Sequence, residues 1–310
     1  MFPNEEACVR YLFALRWPDG NPCAKGCRRE FALYHGGRVI FCKTCRQNIS
    51  LTAGTIMHRS HTDLLTWFYG AFLVTTLTPG ISATQFQKQL GIKRYETAFQ
   101  ILHKLRAAMV NPDREPLKGV VEVDETYIGG VKPGAKGGRG MKGKTLVIGA
   151  VEQRPSKDKR RSASAGRVRF RVIESATTKE LTEFVEDHVE KDSSVLTDNW
   201  QGYLRLASLG YEHVPTVVGH RQNASHMLPL IHLAFANLKT WLQGTHHGRV
   251  ERQHLQAYLN EFAFRHNRRF WRFSAFQTVL RLGMNQGPQE YGVLYTADEY
   301  GRNVHAAGLR

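Results

Sequence analysis

The spacing of apolar residues changes character twice along this chain. Between residues 60 and 110 it is helical. Leu64, Leu65, Trp67, Phe68, Phe72 and Leu73 predict a helix over 63–76, broken by Thr78-Pro79-Gly80. Ser82 is placed to cap a second helix carrying Phe86 and Leu90 on one face. After the turn Gly91-Ile92, the residues Tyr95, Phe99, Leu102 and Leu105 extend the helical period through 94–109. This pair is patterned like a helix-turn-helix, with Lys93, Arg94, His103, Lys104 and Arg106 suited to phosphate or base contacts. An ordinary helical hairpin fits the same pattern. Asn111-Pro112-Asp113 reads as a boundary.

Beyond residue 120 the pattern turns to short apolar runs. Strands are predicted at 120–128, 145–152, 167–173, 194–197 and 213–218, and helices at 181–189, 231–242 and 251–264. That order is the order of an α/β, ribonuclease-H-like fold. Asp124 lies within the first strand and Asp198 at the end of the fourth, where two carboxylates can share divalent metal for an in-line phosphoryl displacement. On pattern alone the same two residues read as a turn cap and a helix cap. The strand period of two puts Glu122 on the face of Asp124 and Glu125 on the other.

The third pattern is a cysteine spacing, C-x3-C-x14-C-x2-C, formed by Cys23, Cys27, Cys42 and Cys45. Between the pairs, 31–34 and 38–41 read as strands about a His35-Gly36-Gly37 turn. Knuckle, hairpin, knuckle is a zinc ribbon, in which four thiolates hold a structural Zn²⁺ with no open position. Cys8 is left over and reads as an inert thiol.

Composition narrows the partners. The chain has 310 residues, 42% of them apolar, with 43 Lys+Arg against 27 Asp+Glu and a formal net charge of +16. That excludes wholesale disorder and points to a polyanion. No run approaches a membrane span and no secretory leader is visible, so a cytoplasmic protein without a membrane partner is expected. The segment 131–144 holds Lys132, Lys136, Arg139, Lys142 and Lys144 with no acid, and 154–167 holds six cations against one acid. Both read as phosphate-tracking loops or as solvated hairpin tips.

In combination, VDETYIGG (123–130), LTDNWQGY (196–203), FANLKTWLQGTHHG (235–248) and LQAYLNEFAFRHNRR (255–269), behind the cysteine ribbon, resemble insertion-sequence transposases of the IS1595 family. The resemblance implies a DDE-type catalytic domain acting on double-stranded DNA, both terminal inverted repeats and target. It also implies Mg²⁺ (or Mn²⁺) as cofactor, and at least a homodimer when two DNA ends are joined. Asp124 and Asp198 match the first two catalytic positions. His232 matches the His-bearing branch at the third, and Lys239, seven residues on, the basic position that follows it. Glu261 with Arg268 repeats the acid-plus-seven spacing and is the other candidate. Arg265, Arg268 and Arg269 are expected to face DNA or the active-site acids. The expected domains are an arm and ribbon at 1–58, a helix-turn-helix-like segment at 59–113, a catalytic domain at 114–288 and a tail at 289–310. The competing expectation is a DNA-binding regulator with an inert nuclease-like domain, which the non-acidic third residue favours.

Overall fold

A computed structural model describes residues 2–27, 30–129, 144–158, 160, 162–216, 228–248, 250–289 and 294. The chain divides into two compact units, one formed by Met1–Asn111 with Phe270–Arg310 and the other by Pro112–Arg269. Among the described residues, no helix is long and apolar enough to cross a membrane.

The first unit opens with helix α1 (Glu5–Arg16), capped by the Asn4 side chain and burying Cys8, Val9 and Leu12. The ribbon follows as an antiparallel sheet of β1 (Phe31–Tyr34), β2 (Val39–Cys42) and β3 (Asn48–Ser50). Its hairpin was expected; α1 and β3 were not. Glu5 binds three pieces of the unit together. Its carboxylate accepts the N–H groups of Leu64 and Leu65 at 2.9 and 3.0 Å, opening α2 (Leu64–Thr76), and pairs with Arg38 at 2.6 Å.

Helices α3 (Ala83–Leu90) and α4 (Tyr95–Ala108) meet at Gly91, whose left-handed φ of 63° suits a residue without a Cβ. The two-helix geometry follows the sequence pattern, but α4 is largely a core helix. It buries Ala98, Ile101, Leu102, His103, Leu105, Arg106, Ala107 and Ala108. His103 stacks on Phe99 and bonds Arg106 at 3.1 Å, so neither is available to DNA, contrary to expectation. Lys104 is half-buried, and burial lowers its ammonium pKa. Only the start of α4, with Lys93, Arg94, Tyr95 and Glu96, is exposed.

A final helix, α8 (Arg272–Asn285), completes this unit: its Phe276 meets Phe68 and Phe72 at ring distances of 6.1 and 6.3 Å. The second compact unit ends at Arg269, short of the residue 288 expected for the catalytic domain, and the aromatic face of α8 has its partners in α2.

The second unit is built on a five-stranded sheet with order β6-β5-β4-β7-β8. Its strands are β4 (Val120–Ile128), β5 (Thr145–Pro155), β6 (Ala163–Ile173), β7 (Ser194–Asp198) and β8 (Glu212–Thr216). β4–β5–β6 is an antiparallel meander, and β7 and β8 add parallel to β4. Helix α5 (Thr178–His188) covers one face, where Val121, Val123, Ile148 and Val195 pack with Phe184 and Tyr203. Helices α6 (Pro229–His246) and α7 (Arg252–Asn267) cover the other, where Val147, Val151 and Phe170 pack with Phe235 and Phe262. Between β7 and β8 lies a 3-10 segment, Gln201–Leu209.

β5 and β6 run further than expected, so much of the basic 154–167 stretch is strand. Arg167 is bidentate to Glu152, at 2.7 and 3.1 Å, and Arg154 reaches the same carboxylate at 3.3 Å. Arg160 pairs with Asp158 at 3.1 Å. Burial would raise the Glu152 pKa, but the Arg167 hydrogen bonds and charge outweigh it and bring it down to about 2 from 4.5. A depressed carboxylate pKa stabilises the fold above the unfolded value and is lost as pH falls through the folded one. Acid titration of unfolding should therefore show up to roughly 3 kcal/mol of stability lost between about pH 4.5 and 2, and the Arg167→Ala variant should lack that component.

Candidate active site on the β4–α6 face

Three alternate residues of β4 engage α6 in turn. Glu122 is fully buried, and its Oε2 accepts the N–H groups of Leu230 and Ile231 at 2.8 and 2.9 Å. Asp124 Oδ2 stands 3.7 Å from His232 Nε2. Thr126 Oγ1 accepts from Lys239 Nζ at 2.6 Å. From the first contact to the last, four residues of strand advance about 13 Å and nine residues of helix about 13.5 Å, so the two elements cover the same length although the middle contact falls near the helix start.

The sequence makes that approach possible at Gly149, which pairs with Asp124 across β4–β5. A Cβ there would lie 2.8 Å from the Phe235 ring of α6 and 2.9 Å from Phe170.

Asp198 joins the same face. The parallel register sets Glu122 beside Leu196, so Asp124 and Asp198 lie two residues further along neighbouring strands. The Oδ1 of Asp198 accepts the Trp200 N–H at 3.1 Å, turning the chain away from β7. Burial raises the Asp124 carboxyl pKa, and the Asp198 charge adds to it, while His232 and Lys239 oppose the rise. Lys239 is lowered by burial and by Lys144, an exposed residue before β5.

Residues 116–267, nearly the whole of this unit, match the family described as ISXO2-like transposase domain. This unit is an ISXO2-like transposase domain. No curated protein matches the chain. The match agrees with the IS1595-type resemblance carried by the sequence motifs, and the fold is the ribonuclease-H-like one.

Within the transposase domain, the opposite face of β4 carries a second carboxyl. Glu125 accepts a hydrogen bond from the buried Tyr203 hydroxyl, and burial, with the charges of Asp124 and Asp198, pushes its pKa up to about 7. Tyr203 lies in the 3-10 segment just beyond Asp198, so this contact links the two acid-bearing strands from behind. The sequence placed Glu125 on that face; its partner was not foreseen.

Glu261 is also fully buried, in α7, where it pairs with Arg265 at 3.1 Å on its own helix. The three arginines expected to face DNA or the active-site acids are engaged inside the transposase domain. Arg265 holds Glu261 and lies 5.8 Å from the Trp241 ring. Arg268 stacks on Phe264 at 4.0 Å, and Arg269 donates to the carbonyls of Ala165 and His266 at 2.5 and 2.8 Å. Lys132, Lys136, Arg139 and Lys142 lie outside the described residues.

In the first unit, the thiols of Cys23, Cys27, Cys42 and Cys45 all lie within 4.8 Å of one another, with Cys23 Sγ and Cys45 Sγ 3.6 Å apart. A tetrahedron of 2.3 Å zinc–sulfur bonds has edges of about 3.8 Å, so the group fits Zn²⁺. Among the described residues, the carboxylates and imidazole of the β4–α6 face do not gather into a comparable cluster.

The close approach at Gly149 sets a specific expectation. Gly149→Ala should destabilise the domain by about 1–3 kcal/mol through overpacking against Phe235 and Phe170, read as a lower urea midpoint with unchanged m-value.

Proposed function

We propose that the chain is a DNA transposase that cleaves and joins DNA at Asp124, Asp198 and His232, with Lys239 as the phosphate-holding cation. The observation that supports this reading most is the convergence of the four residues, from β4, β7 and α6, on one face of the transposase domain. The donor set fits a hard divalent cation such as Mg²⁺ or Mn²⁺. Two carboxylates supply oxygen and charge, and the Asp124 carboxyl, whose pKa is raised by burial and further by the Asp198 charge, is one whose ionised form a bound cation would stabilise. A metal bound there would supply Lewis-acid activation of the attacking hydroxyl and stabilisation of the leaving oxygen.

The chain's own residues then divide the work. Asp124, in the middle of β4, and Asp198, at the end of β7, hold fixed positions on neighbouring strands, His232 adds a ring nitrogen, and Lys239 offers an ammonium about two helical turns along the same face. Lys144 and, from sequence, Lys132, Lys136, Arg139 and Lys142 supply cations beside it for the DNA backbone. The exposed start of α4, with Lys93 and Arg94, is the part of the helix pair suited to a groove, since helix-turn-helix readers use the first turn of the second helix. The cysteine ribbon holds structural zinc, and joining two DNA ends in one event calls for a dimer or larger assembly.

On DNA carrying the element's own terminal repeats, Asp124→Ala should lower strand transfer by at least about a hundredfold with unchanged thermal stability. Retained activity would overturn the mechanism. His232→Ala should match it; loss on Glu261→Ala alone would move the third position to α7. For the ribbon, atomic absorption should find one zinc per chain, and Cys42→Ser should lose it and lower the melting temperature while leaving sheet β6-β5-β4-β7-β8 protected in hydrogen exchange.

A further inference from the structure

We propose that Glu122 is a positioning residue of the transposase site: by holding the first turn of α6 against β4, it sets where His232 stands relative to Asp124. The inference rests on the reading of Asp124 and His232 as site residues, and it adds a role that neither the motif nor the strand period assigns.

Helix α6 has no cap of its own. The residue before it is Leu228, whose side chain accepts nothing, and its first residue is Pro229, which has no N–H. The next two amides, of Leu230 and Ile231, are both taken by Glu122 Oε2. The following amide, of His232, is the first to enter the helical ladder, bonding the Leu228 carbonyl at 3.2 Å. Every first-turn donor is therefore accounted for, and a carboxylate on a strand does what a capping side chain would ordinarily do.

That substitution matters because of where the carboxylate comes from. A local cap would fix only the start of the helix. Glu122 fixes the helix to the strand that bears Asp124, two residues away on the same face, and its grip ends one residue before His232. Its other oxygen accepts from Gln153 Nε2 at 2.9 Å, on neighbouring β5, so the side chain is pinned on both sides and has no exposed surface. This is a helix clamp rather than a fourth ligand.

The two roles respond oppositely to substitution. A clamp needs reach and an acceptor, so Glu122→Gln should serve: its carbonyl oxygen can accept the two amides, and the Gln153 amide can turn to receive its N–H. Glu122→Asp keeps the charge but falls a methylene short. A ligand would show the reverse order, since aspartate is still a carboxylate and glutamine is not.

The test is single-turnover cleavage of repeat-ended DNA by the full chain at saturating protein, comparing Glu122→Gln, Glu122→Asp and Glu122→Ala, with Asp124→Ala as control. The clamp predicts a rate constant within a few-fold of wild type for Gln, and a loss on the order of a hundredfold for Asp and Ala, at unchanged DNA affinity. A residue that only stabilises the fold would lower the reactive fraction and leave the rate constant unchanged; that result overturns the proposal. So does an active Asp variant beside an inactive Gln variant. A second measurement does not depend on activity: the His232 ring ¹⁵N signals should move in Glu122→Asp and stay in Glu122→Gln, and unmoved signals in the Asp variant overturn the clamp. Should Asp124→Ala remain active, it is the site reading that fails, and the ring signals still decide whether Glu122 holds the helix.

Discussion

The transposase domain depends on one apposition, that of α6 along β4. A strand and a helix rise at different rates per residue, so side chains on the two stay in step only if the contacts are spaced to match. Here alternate strand residues at 122, 124 and 126 meet helix positions 230–231, 232 and 239. The sheet face supplies carboxylates and a hydroxyl, while the helix supplies amides, an imidazole and an ammonium. Remove the glycine at 149 from this picture and the helix cannot come close enough, because Phe235 occupies the volume any larger residue would need.

The same strand serves two faces with opposite demands. Towards α5, β4 presents Val121 and Val123 to a dry core, then Glu125, whose carboxyl is shielded by Tyr203. Towards α6 it presents Glu122, which is fully buried, and Asp124, which is mostly buried. Residues 121–124 thus alternate between packing and polar duty, and Glu125 sets a carboxyl on the packing face. Burial raises the carboxyl pKa values of Glu122, Asp124 and Glu125, and the charge of Asp198 adds to the rise at Asp124 and Glu125.

Much of this was legible in the sequence, and the failures share a cause. The strand run 120–128, the acid within it, the acid ending the fourth strand, and the helix-borne His232 and Lys239 follow from periodicity together with motif resemblance. The cysteine ribbon follows from spacing alone. Glu122 was placed on the correct face, but its hold on α6 was not foreseen, because the partners there are backbone amides more than a hundred residues away and amides carry no sequence signature. The arginines of FRHNRR were expected at DNA or the active-site acids because charge is visible in a sequence, whereas the Ala165 carbonyl that engages Arg269 is brought near only by folding, and Glu261 and Phe264 engage Arg265 and Arg268 one helical turn away. Arg106 and His103 misled in the same way: helical periodicity marks a face, and which helix covers that face is a tertiary matter. Net charge had a similar limit, since Glu152 lies just outside the basic stretch it neutralises.

The first unit is made of two separated stretches of chain, with the whole transposase domain between them. During synthesis, the aromatic face of α2 leaves the ribosome long before Phe276 of α8, which covers it. The transposase domain, continuous in sequence, has all of its strands and helices available first. The zinc-ribbon unit cannot complete its core until the segment beyond Arg269 has been made, so the unit that begins the chain is the last one able to finish folding.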